Sequence, residues 1–315
     1  MAFYSPDPAM GQILADLVRA LELEGRAGLA QHLSITWVRY DQSLIARAAD
    51  LAPEQFWALP VPGASWAGDR PRYPASVVKL VYLVAAEAWR QGDLLTDTPE
   101  LRRALADMIQ DSSNDATGLV LDLLTGTTSG PALPPRRMAE WAEQRQLVNR
   151  WLAELDWPEL QGCNACQKTW GDGPYGRERE FYGEQLNNRN RLSTDAVARL
   201  LQAVMASALV SPPACARMRA LLARSLDPAQ RAADPENQVD GFIGEGLPPH
   251  AQLWSKAGWM SQARHDAAYV EPAALDSGSQ APPFLLVIFS EGQACAQDTR
   301  LLPEIAARLA AASCH

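Results

Sequence analysis

At 315 residues, 47% hydrophobic and 21% charged, the chain has the composition of an ordinary globular protein and can bury a full core, as two domains or one large two-lobed one. Its net charge of −9 argues against nucleic acid or an anionic membrane as partner, since both reward clustered Lys and Arg. No apolar run reaches the roughly 18 residues of a membrane-spanning helix. The start, Met1-Ala2-Phe3-Tyr4-Ser5-Pro6-Asp7-Pro8, lacks the basic and apolar regions of a signal peptide, so the expected location is cytoplasmic as the sequence stands, or periplasmic if an export signal is missing.

Residues 10–24 carry Ile13, Leu14, Leu17, Val18 and Leu21 at helical spacing with Gly25 after them, an amphipathic helix. Leu33, Ile35 and Trp37 alternate with Ser34, Thr36 and Val38, the first strand, ending near Asp41; residues 44–48 are a possible second strand. Residues 51–75, with Pro53, Pro60, Pro62, Pro71, Pro74, Trp57 and Trp66, read as an ordered connection without a regular element. From Ser76 to about Leu226 the pattern is helical, with helices expected at 76–91, 98–110, 115–124, 137–154, 194–209 and 213–225. Between them, 155–193 is a long polar loop with Trp157, Trp170, Tyr175, Phe181 and Tyr182 to pack it. Strands return at 250–256, 267–270 and 283–290, separated by a small-residue turn over 272–282, and a helix at 301–311 closes the chain. The order implies an α+β fold: one lobe built from both termini, 1–72 and 240–315, with a helical lobe, 73–239, inserted.

Three short motifs carry chemistry. Pro74 precedes an apolar run that starts a helix, and Ser76 and Lys79 stand three residues apart on one face of it. Burial among Val77, Val78, Leu80 and Val81 would lower the Lys79 pKa toward neutrality, giving a serine nucleophile with a built-in base. Asp111-Ser112-Ser113-Asn114 lies between two helices, where Ser112 offers a hydroxyl for proton relay and Asn114 an amide; capping a helix is the plainer use of such residues. Trp254-Ser255-Lys256-Ala257-Gly258-Trp259 ends a strand, with Lys256 able to pair a carboxylate and Gly258 able to let a ligand approach the backbone. Lys168-Thr169-Trp170 lacks the glycine and sits in the loop.

Other constellations are weaker. Cys163 and Cys166 form a Cys-x-x-Cys pair with no second ligand pair and no strand before it, and five cysteines do not make a disulfide framework. His32, His250, His265 and His315 show no metal spacing, and no Gly-x-Ser-x-Gly elbow is present. No metal and no cofactor is expected.

Taken in order, the three motifs resemble the penicillin-recognising serine enzymes, the class A β-lactamases and DD-peptidases, whose signatures are Ser-x-x-Lys, Ser-x-Asn and Lys-Thr-Gly. Gly246-Leu247-Pro248 and His265-Asp266-Ala267-Ala268-Tyr269-Val270 extend the resemblance, which covers most of residues 30–312. It implies an α/β sandwich, an antiparallel sheet flanked by terminal helices with an all-helical lobe inserted, and an active site in the cleft between lobes. Ser76 would be the acylated nucleophile, Lys79 its proton acceptor and Ser112 the shuttle to the leaving group. Asn114 would bind a substrate amide, Lys256 a carboxylate, and the backbone N–H groups of Ser76 and Trp259 the oxyanion.

The departures bear on function. Ala257 replaces the hydroxyl residue of Lys-Thr-Gly, and the segment from Ser76 to Ser112 is shorter than in typical class A enzymes. Class A enzymes also need a loop glutamate to activate the deacylating water. Glu178, counted back from Thr194, is the first candidate, with Glu180 and Glu184 as rivals. A serine hydrolase acting on a small-molecule or peptide amide, ester or β-lactam is the leading expectation. A DD-peptidase, penicillin-binding protein or esterase that deacylates β-lactams poorly, a non-catalytic binding protein, and a cytoplasmic amidase such as a glutaminase are the alternatives. Nothing in the sequence sets the oligomeric state.

Overall fold

The computed structural model describes residues 3–48, 51–234, 236–272 and 281–313. Most of the small-residue turn expected at 272–282 lies outside the described residues. Among the described residues seven strands form one sheet: β1 (Ser5–Pro6), β2 (Leu33–Arg39), β3 (Pro62–Trp66), β4 (Ala223–Arg224), β5 (Gln252–Met260), β6 (Ala263–Glu271) and β7 (Phe284–Glu291). Their spatial order is β1-β3-β2-β7-β6-β5-β4. The pairing is antiparallel except for β1 with β3.

Both faces of the central strands are covered, which is why β7 reads as a continuous apolar run. Successive side chains of a strand point to opposite faces. Phe284, Leu286 and Ile288 therefore join Leu33, Ile35 and Trp37 against the terminal helices Pro8–Leu23 and Leu301–Ser313. Leu285, Val287 and Phe289 join Val38 and Tyr269 against the helices Val78–Gln91 and Thr194–Met205. This is the α+β arrangement expected, with helices from the chain ends on one face and helices of the central segment on the other.

Several local expectations change. Residues 44–48 form a short helix, Leu44–Arg47, because Ser43 accepts a hydrogen bond from the Ala46 N–H at 3.1 Å and caps it. The segment 51–75 contains a helix, Pro53–Trp57, and the strand β3, held between β1 and β2. The helix expected at 137–154 is two, Pro135–Arg145 and Leu147–Glu154, broken at Gln146. The helix Pro212–Leu222 ends early because Ala223 turns extended and pairs with β5. Within the long loop, Pro158–Leu160 forms a 3-10 turn and Gly176–Tyr182 a helix. No helix among the described residues is long and apolar enough to cross a membrane.

Candidate active site

The segment leading to Ser76 is fixed before the helix begins. Arg72, buried, bonds Glu291 Oε2 at 2.5 Å and Ser34 Oγ at 2.8 Å, and its backbone exchanges two hydrogen bonds with Leu192. The ring of His265 reaches the Tyr73 carbonyl oxygen at 2.8 Å. Its Nδ1 accepts the Ser290 N–H at 3.0 Å, so the proton sits on Nε2 and Nε2 donates to Tyr73. Burial pushes the His265 pKa down to about 4 and keeps the ring neutral.

Ser76 lies in a 3-10 turn, Ala75–Val77, that precedes the helix Val78–Gln91, a tighter geometry than the first α-turn expected from sequence. Ala75 enters it with φ of +45°, a left-handed conformation that costs a non-glycine residue about 1–3 kcal/mol and persists where the surroundings enforce it. β5 closes against the same turn. A Cβ on Gly258 would stand 2.9 Å from the Ser76 nitrogen and from the Pro74 carbonyl oxygen, closer than packing allows, so only glycine fits. The strand runs on through Lys256, Ala257, Gly258 and Trp259 and does not end at Lys256. Trp259 follows Gly258 directly and sends its exposed side chain away, with Nε1 donating to the Ala296 carbonyl oxygen at 3.3 Å.

Two buried lysines meet at one hydroxyl. Lys79 Nζ donates to Asn114 Oδ1 at 2.9 Å, to Ser112 Oγ at 3.1 Å and to the Ser112 carbonyl oxygen. Lys256 Nζ donates to the same Ser112 Oγ at 3.0 Å, to Gln238 Oε1 at 2.6 Å and to the Ala257 carbonyl oxygen at 2.7 Å. Every one of these acceptors is uncharged. Burial without a counter-charge lowers Lys79 to about 7, and burial together with the Lys79 and Arg224 charges holds Lys256 well below the ordinary lysine range. Capping is performed by the neighbouring Ser113, whose Oγ accepts the Ala116 N–H at 3.1 Å and starts the helix Asn114–Thr125. Ser112, with φ of +54°, and Asn114 are thereby left to the lysines.

The loop glutamates lie in other settings. Glu178 is fully buried, and its Oε1 receives Arg145 Nη2 at 2.6 Å and Ser129 Oγ at 2.9 Å. Arg145 also reaches Asp122 at 3.1 Å, and Lys168 bonds Asp122 at 2.6 Å. Glu180 and Glu184 are exposed. The cysteines among the described residues are free thiols. Cys163 Sγ donates to the Glu159 carbonyl oxygen, Cys166 Sγ donates to Asn164 Oδ1, and burial pushes Cys166 up to about 12. Among the described residues there is no group of His, Cys, Asp or Glu that could hold a metal ion.

Two residues around the site lie outside the three motifs. Gln238 sits in a polar segment of ordinary loop composition, and nothing in its neighbours marks it. Asp266 was visible as part of the β6 resemblance; buried, it accepts the N–H of Ile243 at 3.1 Å and of Ala267 at 2.9 Å, and burial raises its pKa to about 7.

Residues 91–312 match the model described as the β-lactamase enzyme family. The chain belongs to that family. Such membership makes a hydrolase the coarse expectation, while the match begins after Ser76 and Lys79 and so does not include them. None of the curated proteins matches the chain. Solved structures agree in fold across nearly its whole length. PBP-A is 15% identical with a TM-score of 0.60, over 98% of this chain and 97% of that one. An acyl-enzyme complex of a PBP-A mutant with penicillin G is 15% identical with a TM-score of 0.62, over 99% and 98%. The β-lactamase of Sphaerobacter thermophilus is 17% identical with a TM-score of 0.58, over 95% of each. At these identities the likeness of this family member to those structures is one of fold.

Proposed function

We propose that the protein is a serine hydrolase that forms an acyl-enzyme at Ser76 on an amide, ester or β-lactam. The observation that carries this reading is the convergence of Lys79 and Lys256 on Ser112 Oγ, with Gly258 pressed against the Ser76 turn. Substrate enters the cleft between the lobe of residues 1–72 and 240–315 and the lobe of residues 73–239. Lys79, its pKa lowered by burial to about 7, takes the Ser76 proton in its deprotonated form as Oγ attacks the carbonyl carbon. The N–H groups of Ser76 and Trp259 stabilise the resulting oxyanion. The proton then passes from Lys79 through Ser112 Oγ to the leaving nitrogen or oxygen, and the acyl group stays on Ser76. Asn114 holds a substrate amide and Lys256 a carboxylate.

A second reading concerns the fate of the acyl-enzyme. Water activation in class A enzymes depends on a loop carboxylate, and here Glu178 is already held by Arg145 and Ser129. Glu180 and Glu184 face solvent. This favours a long-lived penicilloyl adduct, as in a penicillin-binding protein, with esters or peptides as the substrates turned over. Intact-mass spectrometry after exposure to a fluorescent penicillin and a fluorophosphonate tests both parts. One adduct per chain is expected, absent in Ser76→Ala and persisting for hours with the penicillin. No adduct with either probe, or labelling that survives Ser76→Ala, would overturn the first reading, and rapid loss of the penicilloyl adduct would overturn the second.

A further inference from the structure

Gln238 lies outside all three motifs, yet it is 7% exposed and its amide is fully engaged. Oε1 accepts from Lys256 Nζ at 2.6 Å and from the Ala257 N–H at 3.2 Å. Nε2 donates to the carbonyl oxygens of Ile109 at 3.0 Å and Gln110 at 2.7 Å. Those carbonyls end the helix Pro99–Gln110, where backbone acceptors have no partner within the helix. One side chain therefore clamps β5 to the helix end that delivers Ser112 two residues later.

A carboxylate would be the ordinary partner for a buried ammonium. An amide in its place supplies an acceptor without a charge. We propose that Gln238 is a positioning residue: it holds Lys256 on Ser112 Oγ, leaves Lys256 without a counter-charge so that an anionic group of the substrate can supply one, and adds no negative charge that would keep a proton on Lys79. The proposal rests on the acyl-enzyme reading. The charged groups facing Lys256 are Lys79 from the helix Val78–Gln91, Arg224 from β4 and Asp266 from β6, and Arg224 in turn faces Asp111 and Asp234. With two lysines and an arginine together, a site free of added carboxylate favours loss of a proton from Lys79, in line with its pKa of about 7.

The test is the second-order acylation rate from pH 5 to 9 in the wild type, Gln238→Glu and Gln238→Met, with a fluorescent penicillin, which carries a carboxylate, and a fluorophosphonate, which does not. A carboxylate at position 238 stabilises protonated Lys79, so the acid limb of the Gln238→Glu profile moves up by about one pH unit. A residue that only held the fold together would lower the rate at every pH without that shift. Gln238→Met, which serves also if Gln238→Glu does not fold, is expected to lose about tenfold toward the penicillin, the worth of one good hydrogen bond to a charged group, and less than about twofold toward the fluorophosphonate. An unshifted Gln238→Glu profile, or equal losses with both probes in Gln238→Met, overturns this inference alone. Absence of Ser76-dependent labelling in the wild type overturns the acyl-enzyme reading and this inference with it.

Discussion

Two buried charged clusters in this protein are built on opposite rules. Around Ser112, Lys79 and Lys256 are wholly buried yet bond only uncharged acceptors among the described residues. Beneath the 155–193 loop, Arg145 and Glu178 are equally buried, but they pair with each other at 2.6 Å, with Asp122 and Lys168 completing the cluster. A buried charge without a counter-charge is pushed toward its neutral form and becomes a candidate acid or base; a buried ion pair is costly to break and holds structure. The contrast supports the chemistry proposed for the first cluster and a loop-anchoring part for the second.

The comparison breaks most sharply at Lys79. Lys79→Met is expected to lower acylation of Ser76 by about 10²–10⁴-fold, the usual worth of a positioned base, while thermal melting shows no loss of stability. The sign follows from burial. Because the folded-state pKa is depressed to about 7, the unfolded chain binds the extra proton between about 7 and the ordinary lysine value, so the penalty of burying Lys79 is full below pH 7 and fades as pH rises. The wild-type acylation rate should accordingly climb through about pH 7. A rate that is flat from pH 5 to 9 would remove Lys79 as the base.

Arg145→Ala should give the reverse pattern. Leaving Glu178 buried without its partner is expected to cost about 3–5 kcal/mol of stability in denaturant unfolding. The acylation rate per folded molecule changes little, and a collapse of acylation in still-folded protein would join the two clusters into one machine. The smallest effects belong to Glu180→Gln and Glu184→Gln, both on the surface. Each should stay within about 0.5 kcal/mol of the wild type and leave the lifetime of the penicilloyl adduct unchanged. A markedly longer adduct lifetime in either would identify that residue as the missing water activator.

Much of the fold was legible in the chain. The two-residue alternation through Leu33, Ile35 and Trp37 and the unbroken run from Phe284 to Phe289 specify strands, because a pleated backbone sends neighbours to opposite faces and a strand covered on both must be apolar throughout. The terminal helices announce themselves by spacing. Short elements did not. Leu44–Arg47 became a helix through the Ser43 cap and β1 exists only because β3 lies beside it, and single-turn elements depend on such partners more than on their own composition. The motif residues Ser76, Lys79, Ser112, Asn114, Lys256 and Gly258 could be picked out, yet nothing local separated Ser112 from Ser113 as cap or site residue.

By itself, then, the sequence determined the residue types able to do acyl-transfer chemistry and the order of elements that carry them. Periodicity and spacing are local properties and survive in one dimension. The tertiary structure alone decided that two lysines far apart in the chain share one hydroxyl, that Gln238 ties Lys256 to the helix end before Ser112, and that Glu178 belongs to Arg145. Those outcomes depend on which charges face which partners after burial, and burial is a property of the packed molecule.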